Sequence, residues 1–242
     1  MPTLGVDYPQ SFLDNPKNWR TRPSLLLKGP EGNLLVDCAP EMRLQLLNAG
    51  VKMVDAVIIT HTHADHIMGM DDLRSFCLRS GKDMPVYTLP EHQADIRRVF
   101  AYAFAAFPAG IEVPRFDLKD APDRLNLVGL SLDLFEVMHG PTMSVIALRV
   151  GDFAYVTDVS EIPPAAMSQL RGLGTLVLDA VRYNPHPNHI HFDRAVELAK
   201  EIGATRTVFT HLSHDYDHDL VNRNLPTGIE LGYDGQTLEI NL

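Results

Sequence analysis

The chain has little cysteine, little positive charge and no long apolar run, and each shortage closes off a class of protein. Its two cysteines are Cys38 and Cys77, and no CxxC pair occurs. Neither a disulfide framework nor a thiolate zinc site can organise it, so both read as buried small hydrophobes. Lysine and arginine number 21 against 31 aspartates and glutamates, a formal net charge of −10. Such a chain is poorly suited to covering long stretches of nucleic acid backbone. A small anionic substrate is still admissible, because bound divalent ions set the local field whatever the overall charge. No apolar run approaches the ~20 residues that span a bilayer. No charged-then-apolar leader opens the chain, so a cytoplasmic location away from membranes is expected.

What is present is an ordinary globular composition, 242 residues with 45% hydrophobic and 21% charged. That length suits one large domain or two small ones. The turn GPEGN separates apolar strands at 24–28 and 33–37, and a helix is expected over 40–48 with Gly50 past its end. Residues 54–59, VDAVII, form a continuous apolar run of the kind buried on both faces of a sheet. A helix is expected from about 65 to 79, a strand at 85–88 and a helix over 90–100 with proline at its start. The aromatic stretch 101–116 carries two prolines and breaks this rhythm. It reads as an excursion from the main fold: by default a hydrophobic packing arm, otherwise a lid, a substrate wall or a dimer contact. Strands follow at 130–137, 144–150, 153–157, 175–178 and 207–210, with an amphipathic helix over 192–202. A closing hairpin is expected from 228–231 and 237–240 around YDGQ. Strands with recurring helices, and no repeats or linkers, point to a layered α/β domain.

The densest chemistry is in THTHADHIMG, residues 60–69, directly after the apolar run. His61 and His63 alternate with Thr62, so in extended backbone both point the same way. Asp65 and His66 fall where the chain enters a helix and aim elsewhere. One short segment can thus offer two ligand pairs to adjacent points, as two metal ions a few ångströms apart require. Imidazole and carboxylate without thiolate suit zinc, manganese or iron. A histidine set that is merely incidental is the alternative, but four ligand-type residues in six positions argue against it. Three more ligand-type residues end apolar strands: His139 in LDLFEVMHG, Asp158 in FAYVTDVS and His211 in TVFTHLS. Each alone reads equally well as a buried histidine, a helix cap or a surface residue. Their common position makes them a set.

HTHADH, the later His139, the Asp158 of TDVS and the His211 of THLS together resemble the metallo-β-lactamase superfamily, in motif and in order along nearly the whole chain. The resemblance implies a single domain over 1–242, folded as a four-layer αββα sandwich. It also implies two divalent metal ions, zinc as the first expectation with manganese or iron compatible. His61, His63 and His139 would bind one ion, Asp65, His66 and His211 the other, and Asp158 would bridge them. The retained Asp65–His66 pair is more similar to the binuclear hydrolases and phosphodiesterases of the superfamily than to its lactamases.

The segment VRYNPHPNHIHFDRAVELAKEIGATRTVFTHLSHDYDH narrows the branch. A histidine-rich loop before a helix is similar to the tRNA 3′-end-processing endonucleases and to the cyclic-phosphate phosphodiesterases of the carbon–phosphorus lyase pathway. In both, a histidine of that loop acts beside the phosphate. The role falls on His189 here, with His186 and His191 as the competing choices. RTRPSLLL and the YDG segment resemble the same branch. There are departures from the family's pattern. Met1 stands inside the loop where the family has already placed a glycine-rich strand, so that strand is either missing or precedes the given start. VDYPQSFLDNP replaces a cysteine-rich segment of some relatives, so no third zinc is expected. The long arm with which the endonucleases grip tRNA has no counterpart, which together with the acidic charge argues against tRNA.

The expectation is a binuclear phosphodiesterase for a small, cyclic or nucleotide-like phosphate ester, with a homodimer admissible. His189 is the expected general acid. Asp65 is foremost a ligand and also a candidate to orient the water, and Arg182 or Ser213 is a candidate contact for a phosphate oxygen. A lactonase or thioesterase on the same metals, or a metal-binding sensor without turnover, are the competing readings.

Overall fold

The computed structural model describes residues 2–108 and 110–242; Met1, on which the expectation about an opening strand turns, lies outside them. The chain divides into two compact units, one of residues 22–134 and one of the residues up to Thr21 together with Phe135–Leu242. Helices α1 (Gln10–Leu13), α2 (Met42–Asn48), α3 (Ala64–Ile67), α4 (Arg74–Ser80), α5 (Pro90–Val99), α6 (Pro164–Gln169), α7 (Phe192–Ile202) and α8 (His218–Asn222) alternate with two sheets. No helix among the described residues is long and apolar enough to cross a membrane.

In the 22–134 unit, β1 (Leu25–Gly29) and β2 (Gly32–Val36) form an antiparallel hairpin. β3 (Ala56–Ile58), β4 (Met84–Thr88) and β5 (Phe116–Asp120) extend the sheet in parallel, in the order β1-β2-β3-β4-β5. β3 is buried along its whole length, as its unbroken apolar sequence requires. Leu35, Val57, Ile59, Met70, Leu73, Val86 and Ile96 belong to this unit's core. The second sheet comprises β6 (Arg124–Leu127), β7 (Leu130–His139), β8 (Met143–Val150), β9 (Phe153–Val156), β10 (Thr175–Asp179), β11 (Arg206–Thr210) and β12 (Ile229–Leu231), in the order β12-β11-β10-β9-β8-β7-β6. β9, β10, β11 and β12 run parallel, so their carboxyl ends share one edge. α7 lays Ala195, Leu198, Ala199 and Ile202 into the core of the 135–242 portion, and Gly203 ends it in the left-handed conformation. Two sheets with interleaved helices make this the mixed α/β fold expected of the metallo-β-lactamase class.

Three expectations need correction. The helix foreseen over about 65–79 is three pieces: α3, a 3₁₀ turn at Met70–Leu73 and α4. The break lies at Gly69, whose N–H donates to Cys38 O at 2.9 Å and where a Cβ would meet Ala39 O at 2.1 Å. Docking on the 38–39 backbone stops the helix. The closing hairpin does not form. β12 pairs in parallel with β11, and the tail instead docks on the turn at 151–152, where Asn241 N–H donates to the Asp152 carboxylate at 3.1 Å. β5 and β6 were not foreseen, nor were α1, α6 and α8; FDLKD is too charged to read as a strand and is held by pairing with β4. In the 101–116 stretch, Phe100 and Phe104 pack edge-on against Phe116, so its first part is a packing arm.

The segment before Thr21 is fastened to the 216–234 stretch by polar groups. Asn18 accepts from His218 N–H at 2.8 Å and donates to Phe12 O at 3.0 Å, while the Arg20 guanidinium donates to Tyr216 O at 2.7 Å. The His218 ring is buried, and desolvation, then Lys17 and Arg20, hold its imidazole below the usual range. Its native form is therefore the neutral one. As pH falls through ~6.5 the unfolded chain takes up a proton that the folded chain resists. Stability is then full above that pH and declines below it. Thermal midpoints should drop between pH 7 and pH 5 less steeply in His218→Leu than in the parent chain; identical slopes would remove His218 from the account.

Candidate metal centre

Each unit carries a set of ligand-type residues at the ends of its strands. In the 22–134 unit the chain leaves β3, bends at Thr60 and turns into α3 at Ala64, with His63 extended at φ −65°, ψ 153° as the helix cap. The entry into a helix at Asp65 and His66 is the one expected, and His63 before it is extended. This path brings His61 Nε2 to 3.0 Å from His63 Nδ1, and Asp65 Oδ2 to 3.6 Å from His66 Nε2. Two donors on one ion with ~2.1 Å bonds stand roughly 3.0–3.4 Å apart at octahedral to tetrahedral angles. The first pair has that separation and the second lies near it.

The histidines are oriented from behind. Asp37, fully buried just past β2, accepts from Thr60 N–H at 2.8 Å and from the Thr60 hydroxyl, and lies 2.8 Å from His66 Nδ1. Thr60 Oγ1 is 3.2 Å from His61 Nδ1. A carboxylate or hydroxyl on one ring nitrogen fixes which nitrogen faces the other way, the usual arrangement behind a metal-binding histidine. Thr62 adds an anchor by donating to Asp95 on α5 at 3.3 Å.

The 135–242 portion contributes its own set. His139 ends β7, Asp158 follows β9, Asp179 ends β10 and His211 follows β11. His139 Nδ1 is 2.8 Å from Asn188 O, and Asp158 accepts from the Thr157 hydroxyl at 2.7 Å. His211 Nε2 lies 3.2 Å from Asp158 Oδ1. His189 lies between them: its Nδ1 is 3.1 Å from Asp179 Oδ2 and 3.9 Å from Asp158 Oδ1, and its ring stacks on that of His211 at 5.2 Å. Ligand atoms of His139, Asp158 and His189 fall within 4.8 Å of one another, as do those of Asp179, His189 and His211. Burial pushes the Asp179 carboxyl up, with His189 and His211 opposing that shift.

Asp37, Asp158 and His211 hold φ of 63°, 53° and 55°, left-handed values that cost a side-chain-bearing residue energy. Only one other non-glycine described residue, Val128 in the β6–β7 turn, does the same. Backbone strain therefore concentrates at these strand ends. The imidazole and carboxylate donors, their spacing and their buried partners fit divalent ions of the zinc, manganese or iron kind.

His186 and His191 occupy the same loop as His189 in different settings. His186 accepts from Asn188 N–H at 3.3 Å through Nδ1, and His191 caps α7. Sequence reasoning missed Asp37 and Asp179. Both end apolar strands, NLLVD and TLVLD, which is the signal that singled out Asp158.

The family description "Beta-lactamase superfamily domain" matches residues 32–212. The crystal structure of a diphosphatase from the PhnP family is similar with a TM-score of 0.90 and 37% identity, over 100% of this chain and 93% of that one. An octanoyltransferase of Porphyromonas gingivalis is 33% identical over 221 residues, 89% of this chain and 44% of that protein. A ribonuclease Z of Bradyrhizobium diazoefficiens is 31% identical over 133 residues, 53% of this chain and 44% of that protein. The chain thus spans less than half the length of these two curated relatives.

Proposed function

The chain belongs to the beta-lactamase superfamily, and we propose that it lies in the phosphodiesterase branch of that superfamily and is a binuclear metal-dependent hydrolase of a small phosphate ester. In this reading the two units act as one hydrolase domain. His61, His63 and His139 would hold one ion, Asp65, His66 and His211 the other, with Asp158 shared. Zinc suits this donor set first, and manganese or iron also fit it. Such ions supply a nucleophile at neutral pH and neutralise charge on the phosphoryl oxygens.

The chain's own part in the chemistry is carried by His189. Its Nδ1 side is held by the buried Asp179, so its Nε2 side is the one turned to a substrate. Asp179 accepts a second hydrogen bond from Val159 N–H at 3.2 Å, which keeps the carboxylate and the ring in register. A histidine so placed can deliver a proton to a departing alkoxide, and its partner stabilises the imidazolium that precedes delivery. Asp65, at the start of α3, is a ligand first and a residue that orients the water second. The single observation that carries the proposal is this Asp179–His189 pair beside Asp158 and His211. Hydrolysis of a thioester, whose thiolate departs readily without a proton, does not call for it, and a sensor without turnover has no use for it.

The diphosphatase relative, 37% identical, favours a second substrate reading within the same chemistry: a phosphoric anhydride rather than a cyclic or nucleotide-like ester. Both share the phosphoryl centre. Metal-loaded protein should cleave bis-p-nitrophenyl phosphate far faster than a lactone or a thioester under the same conditions. A clear preference for the lactone or thioester would transfer the chain to the competing branch.

A further inference from the structure

We infer that Arg182 and His186 form an anion subsite beside His189 that receives a second phosphate of the substrate, the one adjoining the phosphate under attack. This deepens the phosphoryl-hydrolase reading and rests on it.

The loop between β10 and α7 is closed at its base, where Phe192 N–H donates to Arg182 O at 2.8 Å and Ser213 N–H donates to Val181 O at 2.8 Å. Arg182 therefore stands at a fixed point at the loop's entrance. It is exposed and makes no ion pair among the described residues. Most arginines of this chain are engaged: Arg22, Arg98, Arg115, Arg124, Arg194 and Arg206 face carboxylates, Arg20, Arg149 and Arg223 donate to carbonyls, and Arg79 and Arg97 lie over aromatic rings, whereas among the described residues Arg182 shares its lack of a side-chain partner with Arg171. An uncommitted guanidinium at the entrance of the loop that carries His186 and His189 is suited to an anionic group.

His186 is set by its neighbours. Pro185 and Pro187 flank it and restrict the backbone on both sides. Because its Nδ1 accepts from Asn188 N–H, the ring proton sits on Nε2, which is then a donor. Its ring centroid is 5.5 Å from that of His189, tilted by 36°. Partial burial, then Arg182 and His189, hold its imidazole below the usual range. A neutral donor beside one cation offers two hydrogen-bonding groups without the repulsion of two adjacent charges. His186 belongs to none of the ligand clusters among the described residues, so metal binding does not account for it.

The test is calorimetric binding of inorganic pyrophosphate and of inorganic phosphate to the metal-loaded protein, in the parent chain and in Arg182→Ala and His186→Ala. Arg182→Ala and His186→Ala should each weaken pyrophosphate by about tenfold more than they weaken phosphate, and Arg182→Lys should recover part of the loss. Chelation of free metal by pyrophosphate is common to all the proteins and cancels in the comparison. Equal weakening of both anions, or no weakening in folded, metal-loaded variants, would overturn the subsite. Hydrolysis of bis-p-nitrophenyl phosphate by the parent chain, measured alongside, reports separately on the phosphoryl-hydrolase reading.

Discussion

His189→Ala should lower kcat by about 10²–10⁴-fold, the usual contribution of a positioned general acid, while fold and metal content stay as they are. Its side chain is held by the Asp179 carboxylate at 3.1 Å, and no strand or helix depends on it. The loss should depend on the leaving group. A p-nitrophenolate departs readily without a proton, so bis-p-nitrophenyl phosphate should suffer least. An ester that expels an alkoxide should suffer most. Asp179→Asn should move both substrates in the same direction by a smaller factor, since the ring would keep a hydrogen-bonding partner and lose the charge behind it. His191→Ala serves as the control from the same loop, and His186→Ala, which alters the anion subsite, should show no leaving-group dependence. Equal losses on good and poor leaving groups, or loss of metal from His189→Ala, would reject the general-acid role. A leaving-group dependence in His186→Ala or His191→Ala instead would keep the chemistry and move it to that residue.

The second large effect is expected at His61. It is fully buried, its Nε2 lies 3.0 Å from His63 Nδ1, and Thr60 supports its other nitrogen. His61→Ala removes one donor of a pair that the chain supplies within three residues. Loss of a group that merely orients a ligand costs ~10–100-fold in metal affinity or activity. Loss of the ligand itself should exceed this, and activity and bound metal should fall together. Elemental analysis and circular dichroism on the same preparation separate the two causes. A folded His61→Ala that keeps its metal and its activity would exclude His61 from the centre.

The parts of the fold legible in sequence are those whose cause is local. The helix over 192–202 emerges with those bounds because its apolar residues recur at helical spacing and Gly203 ends it. β3 is legible because nothing polar interrupts it. The broken helix after His66 is not, because its cause lies some thirty residues away in the backbone of Cys38 and Ala39. The tail misreads as a hairpin for a similar reason: YDGQ does turn, but Asn241 finds Asp152 rather than the strand before it. β5 becomes a strand only by pairing with β4, and its own sequence carries three charges in five residues. The same division holds at the site. His61, His63, Asp65 and His66 declare themselves by crowding into one segment. Asp37 and Asp179 do not, because a carboxylate that holds another side chain needs no motif beyond a strand to end. Their partners, His66 and His189, stand 29 and 10 residues away.

The account stands most directly on the number of ions that support turnover. Metal-free protein would be titrated with zinc, and in parallel with manganese, while hydrolysis of bis-p-nitrophenyl phosphate is followed and bound metal is counted. Activity should rise from background and level off at two ions per chain. A plateau at one ion, or hydrolysis that proceeds without added metal in protein shown to contain none, would contradict the binuclear centre.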